Sequence, residues 1–306
     1  HESINVTRVE VRLVFPSLSA ASFESSNVCT NHKLVEVVGK GSFWEVYKAV
    51  AMDTGTLRAV KINKAIGLTS PTQWLELDVA FKGRACPQIL TVFDAYCGTH
   101  YQAFVCEMMS GDLFRHVQAL ANVGRRPKTQ CVDLVHSEIW AALGYLNNLY
   151  IVHRDLHTGN ILVRTSRMPL AEAESSQSGP LTPTDITAVR LSDFGNASQF
   201  NPHTGRIAPC TTHCAADPAM PPELLFVTGT MWEYDRTIPK ATWRPDCCVD
   251  AATFQLDVWQ LGAALAEMIQ LRPVFMAGAP GSRMPSAVAA VVHHVGRVPQ
   301  SLVERL

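Results

Sequence analysis

Ile151-Val152-His153-Arg154-Asp155-Leu156-His157-Thr158-Gly159-Asn160 decides how this chain is read. Two β-branched residues lead into a short stretch that holds an acid, an amide, an arginine and two histidines. Farther on stands Leu191-Ser192-Asp193-Phe194-Gly195, again an apolar, strand-like approach that ends on a carboxylate. Each central tripeptide is weak alone; the order of the two and their apolar flanks make the pair specific. Asp155 and Asp193 supply carboxylate oxygens and Asn160 an amide oxygen. These are the right groups to orient a hydroxyl and to hold a hard divalent cation.

Upstream, Gly39-Lys40-Gly41 lies between two valine-bearing, strand-like runs, and glycines there let the backbone approach a ligand because no Cβ intervenes. Trp44 stands where a third glycine of a G-x-G-x-x-G pattern would fall. Arg58-Ala59-Val60-Lys61-Ile62 follows. A lone G-x-G beside valines is more often an ordinary hairpin. Taken in order, the four segments resemble the glycine-rich loop, the V-A-I-K strand, the H-R-D-L-x-x-x-N loop and the D-F-G motif of the eukaryotic-type protein kinase superfamily.

That resemblance implies an α+β, two-lobed fold: a small antiparallel β-sheet lobe with one helix, and a mostly helical large lobe, with ATP in the cleft. It also implies transfer of the ATP γ-phosphoryl group, with Mg²⁺, to hydroxyls of protein substrates. Lys61, held by Glu76, would position the phosphates. Asp78 is a competitor on another helix face. Asn160 and Asp193 would hold Mg²⁺, and Asp155 would orient the hydroxyl and accept its proton. The backbone of Gly39, Lys40 and Gly41 would cover the phosphates, and the Trp44 ring would either shield them or point to solvent. Adenine would lie between Val46 and Ala59 on one side and Leu162 on the other. The run from Phe104 to Leu113 resembles the hinge: backbone groups of Glu107 and Met109 would meet the adenine edge, Cys106 would guard the back of the pocket and Asp112 would sit near the ribose. Serine or threonine is favoured as acceptor, because the loop lacks the alanine-rich sequence of tyrosine kinases. His157 replaces the lysine usual in serine/threonine kinases; Asp155 and bound phosphates would favour its charged form. A nucleotide-binding pseudokinase scaffold is the alternative, and a small-molecule kinase a more distant one.

Composition narrows the rest. The chain has 306 residues, 47% of them hydrophobic, enough for two lobes with cores. A formal net charge of −1 gives no general attraction to nucleic acid or anionic membrane. Apolar runs fall short of the roughly 18 residues of a membrane span. Nine scattered cysteines read as reduced thiols of an intracellular (cytoplasmic or nuclear) protein. Cys210, His213, Cys214, Cys247 and Cys248 are ligand types, but their spacing matches no standard zinc motif. Oligomeric state is not readable.

Residues 1–33 are expected to hold a strand-like segment, with alternating Val9, Val11, Leu13 and Phe15, and a linker. The small lobe and hinge are expected over 34–109, with a helix starting near Ser70-Pro71-Thr72, where serine caps and proline suits the first turn. The large lobe is expected over 110–306. Its long buried helix runs from Cys131 to Tyr150, with Val135, Ile139, Ala142, Leu143 and Leu146 at helical spacing. Insertions are expected near 165–185 and 226–250. Pro221-Pro222-Glu223 resembles the A-P-E end of an activation segment, with Thr211 and Thr212 as phosphate acceptors for Arg154. Leu256-Asp257-Val258-Trp259-Gln260-Leu261-Gly262 resembles the D-x-W-x-x-G helix, whose Asp257 would take hydrogen bonds from the 153–160 loop. The chain starts at His1 and is expected to be a fragment, C-terminally incomplete.

Overall fold

The computed structural model describes residues 32–41, 44–63, 71–97, 102–166, 185–200, 221 and 254–275. The expected N-terminal strand and linker lie outside these residues. So do nearly all of both insertions, Thr211 and Thr212, Pro222-Glu223 and the cysteine–histidine group. Two compact units result: one of residues 1–81 and 91–108, the other of 82–90 and 109–306.

The first unit is an antiparallel sheet. Its strands are β1 (His32–Lys40), β2 (Trp44–Ala51), β3 (Leu57–Asn63), β4 (Val92–Cys97) and β5 (Gln102–Glu107), in the order β1-β2-β3-β5-β4. Period-two alternation sorts the side chains. Tyr47, Ala49, Val60, Ile62, Ala103 and Val105 pack on one face as a core, with Leu34 against them. Each large aliphatic side chain buried there contributes about 1.5–3 kcal/mol. The register sets Val46 opposite Lys61, Lys48 opposite Ala59, and Ala59 opposite Cys106. Val46, Ala59, Lys61 and Cys106 therefore share the other face. Helix α1 (Pro71–Gly83) starts where the proline signal placed it.

The second unit carries α2 (Leu113–Asn122), α3 (Thr129–Asn148) and α4 (Phe254–Gln270). It also holds a small sheet of β6 (Gly111–Asp112), β8 (Ile161–Thr165) and β9 (Ile186–Leu191), and the pair β7 (Ile151–Val152) with β10 (Ser198–Gln199). Helix α3 begins and ends two residues earlier than expected, but buries the five expected positions together with Cys131. Past its end Tyr150 takes the left-handed conformation (φ 57°) usually left to glycine. Its ring meets Phe200 edge-on at 5.5 Å, and its carbonyl accepts from Phe200 N. The segment 82–90 is pinned inside this unit. Tyr145 Oη donates to Lys82 O (2.7 Å), Leu90 N to Leu191 O (2.9 Å), and Leu191 N to Gln88 O (2.8 Å). Among the described residues, no helix is long and apolar enough to cross a membrane.

Candidate active site

In the first unit Lys61 Nζ meets Glu76 Oε1 at 3.1 Å, both side chains largely shielded from solvent. The ion pair joins β3 to α1, and Glu76 rather than Asp78 is the partner. Gly41 N donates to Trp44 O (2.8 Å), closing the turn between β1 and β2. The Trp44 ring lies over Lys61 Nζ at 4.6 Å, so it is turned onto the ammonium rather than out to solvent. A Cβ on Gly41 would come within 3.3 Å of that ring. Gly39 stands opposite Val46, and the exposed Lys40 pairs with Glu45 at 3.3 Å. Burial pushes the Cys106 thiol up to about 12, which makes it an inert lining group. Glu107 is tied to the start of β4: its N–H donates to Thr91 O, and its Oε1 accepts from Thr91 N, each at 3.0 Å.

In the second unit the pairing of Ile161 with Leu191 brings together the residues that flank them. Asn160 O accepts from both Ser192 N (3.0 Å) and Ser192 Oγ (2.9 Å), which puts Asp193 at the same end of the β8–β9 pair. Asp193 has φ 65°, a conformation an L-residue holds only at a cost, of order 1–3 kcal/mol. Asn160 Nδ2 donates to Asp155 O at 2.8 Å. That bond faces the amide nitrogen to Asp155 O and directs the amide oxygen away from it. Two hard oxygen groups fit Mg²⁺, which takes few protein ligands and completes its shell with phosphate and water.

The 153–160 loop is bolted to one stripe of α4. His153 N donates to Asp257 Oδ2 and Arg154 N to Asp257 Oδ1, both at 2.8 Å. Burial pushes the Asp257 carboxyl up; His153, the two N–H bonds and Arg154 pull it back. Two N–H donors, one on each oxygen, favour the ionised form. Next along the helix, Gln260 Nε2 donates to Arg154 O (3.1 Å) and its Oε1 accepts from Leu156 N (3.0 Å). Glu267 Oε2 then accepts from Thr158 Oγ1 (3.0 Å). The His153 ring is fully buried and meets Phe194 edge-on at 5.2 Å, with Nε2 3.0 Å from Ser192 O and Nδ1 3.3 Å from Asp155 N. The Ser192 carbonyl at Nε2 calls for a hydrogen on that nitrogen.

At the His157 ring the expected upward pull of Asp155 is present, but burial outweighs it. Burial holds its pKa below 6.5, ahead of the upward pull of Asp155; His153 lowers it further, and Asp193 and Asp112 raise it. Nδ1 accepts from Gly159 N at 3.0 Å, so the neutral ring carries its hydrogen on Nε2, 4.0 Å from Asp155 Oδ1. Arg154, expected at an activation-segment phosphate, is buried with Nη1 on Ser198 Oγ at 2.7 Å. Asp112 caps α2, accepting from Arg115 N at 2.7 Å. Met109 Sδ lies 3.6 Å from Arg164 Nη2, and Leu162 pairs with Asp112 across β6 and β8.

Sequence-predicted residues thus assemble within each unit. Gly39, Lys40, Gly41, Val46, Ala59, Lys61, Glu76 and Glu107 lie in the first, and Met109, Asp112, Asp155, His157, Asn160, Leu162 and Asp193 in the second. Gln260, Glu267 and Asn196 were missed. For the first two the available signal was polar residues at positions 257, 260 and 267 on one face of a largely apolar helix. Asn196 carried no signal at all.

The family of the protein kinase domain matches residues 32–296 of this chain. The chain is 21% identical to cyclin-dependent kinase 11.2 of Caenorhabditis elegans, over 87% of this chain and 34% of that protein. It is 26% identical to serine/threonine-protein kinase 1 of Arabidopsis thaliana, over 80% of this chain and 24% of that protein. To serine/threonine-protein kinase Sgk3 of Rattus norvegicus it is 28% identical, over 79% of this chain and 40% of that protein. The chain therefore spans well under half the length of these relatives.

Proposed function

The chain belongs to the protein kinase family, and on that premise we propose that it transfers the γ-phosphoryl group of ATP to serine or threonine hydroxyls of protein substrates. What supports this above all is the convergence of Asp155, Asn160 and Asp193 at one end of the β8–β9 pair, with Asn160 bonded to both neighbouring segments. ATP with Mg²⁺ supplies the phosphoryl group and the neutralising charge. Lys61, steadied by Glu76, binds phosphate oxygens, and the Gly39–Gly41 backbone covers them. Asn160 and Asp193 would hold the metal. Val46, Ala59 and Leu162 give the adenine apolar surfaces, and backbone groups of Glu107 and Met109 give it hydrogen bonds. Asp155 orients the acceptor hydroxyl and takes its proton. Positioning and charge carry most of such a rate enhancement. We assign 34–109 to the small lobe and hinge and 110–306 to the large lobe. The buried free thiols of Cys86, Cys106 and Cys131 support an intracellular setting.

A second reading, nucleotide binding without turnover, draws on Trp44, whose ring covers the Lys61 ammonium. Labelled ATP offered with serine, threonine and tyrosine peptide libraries separates the two. We expect label on serine and threonine. Asp155→Asn should cut turnover about 10²–10⁴-fold with ATP affinity nearly intact. Asp193→Asn should lose both activity and the metal-dependent part of nucleotide affinity. Wild-type turnover no higher than that of either variant would leave only the scaffold.

A further inference from the structure

We propose that Asn196 is a positioning residue for phosphoryl transfer, holding the Asp155 carboxylate so that Oδ1, and not Oδ2, receives the acceptor's proton. The proposal rests on the reading of Asp155 as the proton acceptor. In that step the acceptor oxygen bonds to the γ-phosphorus and the bond to the bridging oxygen breaks. That electron pair leaves with ADP, and the hydroxyl proton passes to Asp155.

The main chain of Asp155 is already held. Its N–H faces His153 Nδ1 (3.3 Å), and its carbonyl accepts from Asn160 Nδ2 (2.8 Å). Neither bond fixes the carboxylate, whose terminal torsion is broad and nearly two-fold. Asn196 supplies what is lacking: its Nδ2 donates to Asp155 Oδ2 at 3.0 Å. Only the amide nitrogen can face a carboxylate, so the orientation of Asn196 is set by charge. An oxygen that accepts a hydrogen bond is the less basic of the pair, which leaves Oδ1 for the proton. Oδ1 lies on the side of His157 Nε2, 4.0 Å away and beyond a direct hydrogen bond.

Asn196 is well placed to do this reproducibly. It sits in a tight turn closed by Ala197 N donating to Phe194 O at 3.0 Å. The turn is fixed upstream by the packing of Phe194 on His153 and downstream by β10, where Ser198 pairs with Val152. Both anchors belong to the residues that lead into the Asp155 loop. The turn and the loop therefore move as one piece, and the amide keeps its distance to the carboxylate.

The test uses the full chain with a peptide acceptor. Asn196→Leu keeps the size and removes the donor; Asn196→Asp keeps the shape and sets a like charge against Asp155. A hydrogen bond to an ionised group corresponds to a fall in kcat of about 10- to 100-fold. We expect that fall in Asn196→Leu, at least as large a fall in Asn196→Asp, and an unchanged KM for ATP in both. In an Asp155→Ala background Asn196→Leu should cost nothing further, because its effect runs through Asp155. Equal kcat in wild type and both Asn196 variants overturns the proposal, as does an undiminished loss in the Asp155→Ala background. Full activity of Asp155→Ala alone would instead remove the reading of Asp155 on which the proposal stands. Should Asn196→Leu fail to fold, Asn196→Asp, which fills the same volume, carries the test.

Discussion

Two residues beyond Asp155, a half-buried imidazole changes what the loop offers to a phosphate. Gly159 makes the arrangement possible: a Cβ there would fall 2.8 Å from His157 Cε1 and push the ring aside. Its N–H occupies Nδ1, so protonating the ring would break that bond as well as charge a half-buried group. The pKa of His157 lies below 6.5 because burial outweighs the pull of Asp155, Asp193 and Asp112. A depressed histidine contributes stability that is present above 6.5 and lost as pH falls through the lowered value, because the unfolded chain then binds the proton more readily. With the Gly159 N–H on Nδ1, the neutral ring presents its hydrogen at Nε2. His157→Lys, which fixes a charge in its place, should change kcat by the same factor at every pH from 6.5 to 8. A variant-to-wild-type ratio that climbs with pH through that range would mean that the native ring is charged when it works. The sequence exposed the substitution at this position but not its sign, since the deciding bond comes from Gly159 and the deciding burial from packing.

Helix α4 works as a rail of acceptors and donors under the loop. Gln260 is the clearest case, satisfying a carbonyl and an N–H of different loop residues with one fully buried amide. Gln260→Leu would leave Arg154 O and Leu156 N buried without that partner, at about 1–3 kcal/mol for each unsatisfied group. Denaturant unfolding should show a lower midpoint with an unchanged slope, and kcat should fall further than the KM for ATP rises. Wild-type stability in this variant would show that water or a shift of the loop replaces the amide. Asp257 was legible because it falls in a recognisable motif. Gln260 and Glu267 were not, because hydrophobic periodicity cannot tell a polar residue facing solvent from one facing a buried loop. Helix α3 was legible for the converse reason: its five core positions repeat strictly, and only its ends drifted by two residues. Asn196 was invisible at this level, since a turn asparagine reads as turn chemistry and nothing more.

At the scale of the molecule, nucleotide and metal should appear as stability. A ligand that binds only the folded state at a hundred times its Kd adds about 2.7 kcal/mol. Thermal unfolding with saturating ATP should rise on adding Mg²⁺, fall back with EDTA, and lose the metal-dependent part in Asp193→Asn. An ATP shift indifferent to EDTA would count against Asn160 and Asp193 as metal ligands. The sheet of the first unit was expected from the family resemblance, and in the second unit α3 from its period and α4 from its motif. The pinning of 82–90 was not, because nothing local in that segment names its partner. That pinning has a consequence in time. Leu191 is made long after Leu90, and at about 5–20 residues per second the hundred-odd residues between them take about 5–20 s to emerge. During that interval Gln88 and Leu90 must wait without the strand that will hold them, while β4 and β5, complete by Glu107, already have each other. The newborn chain thus passes through a stage in which its sheet can be closed while the segment that follows its first helix is still unfastened.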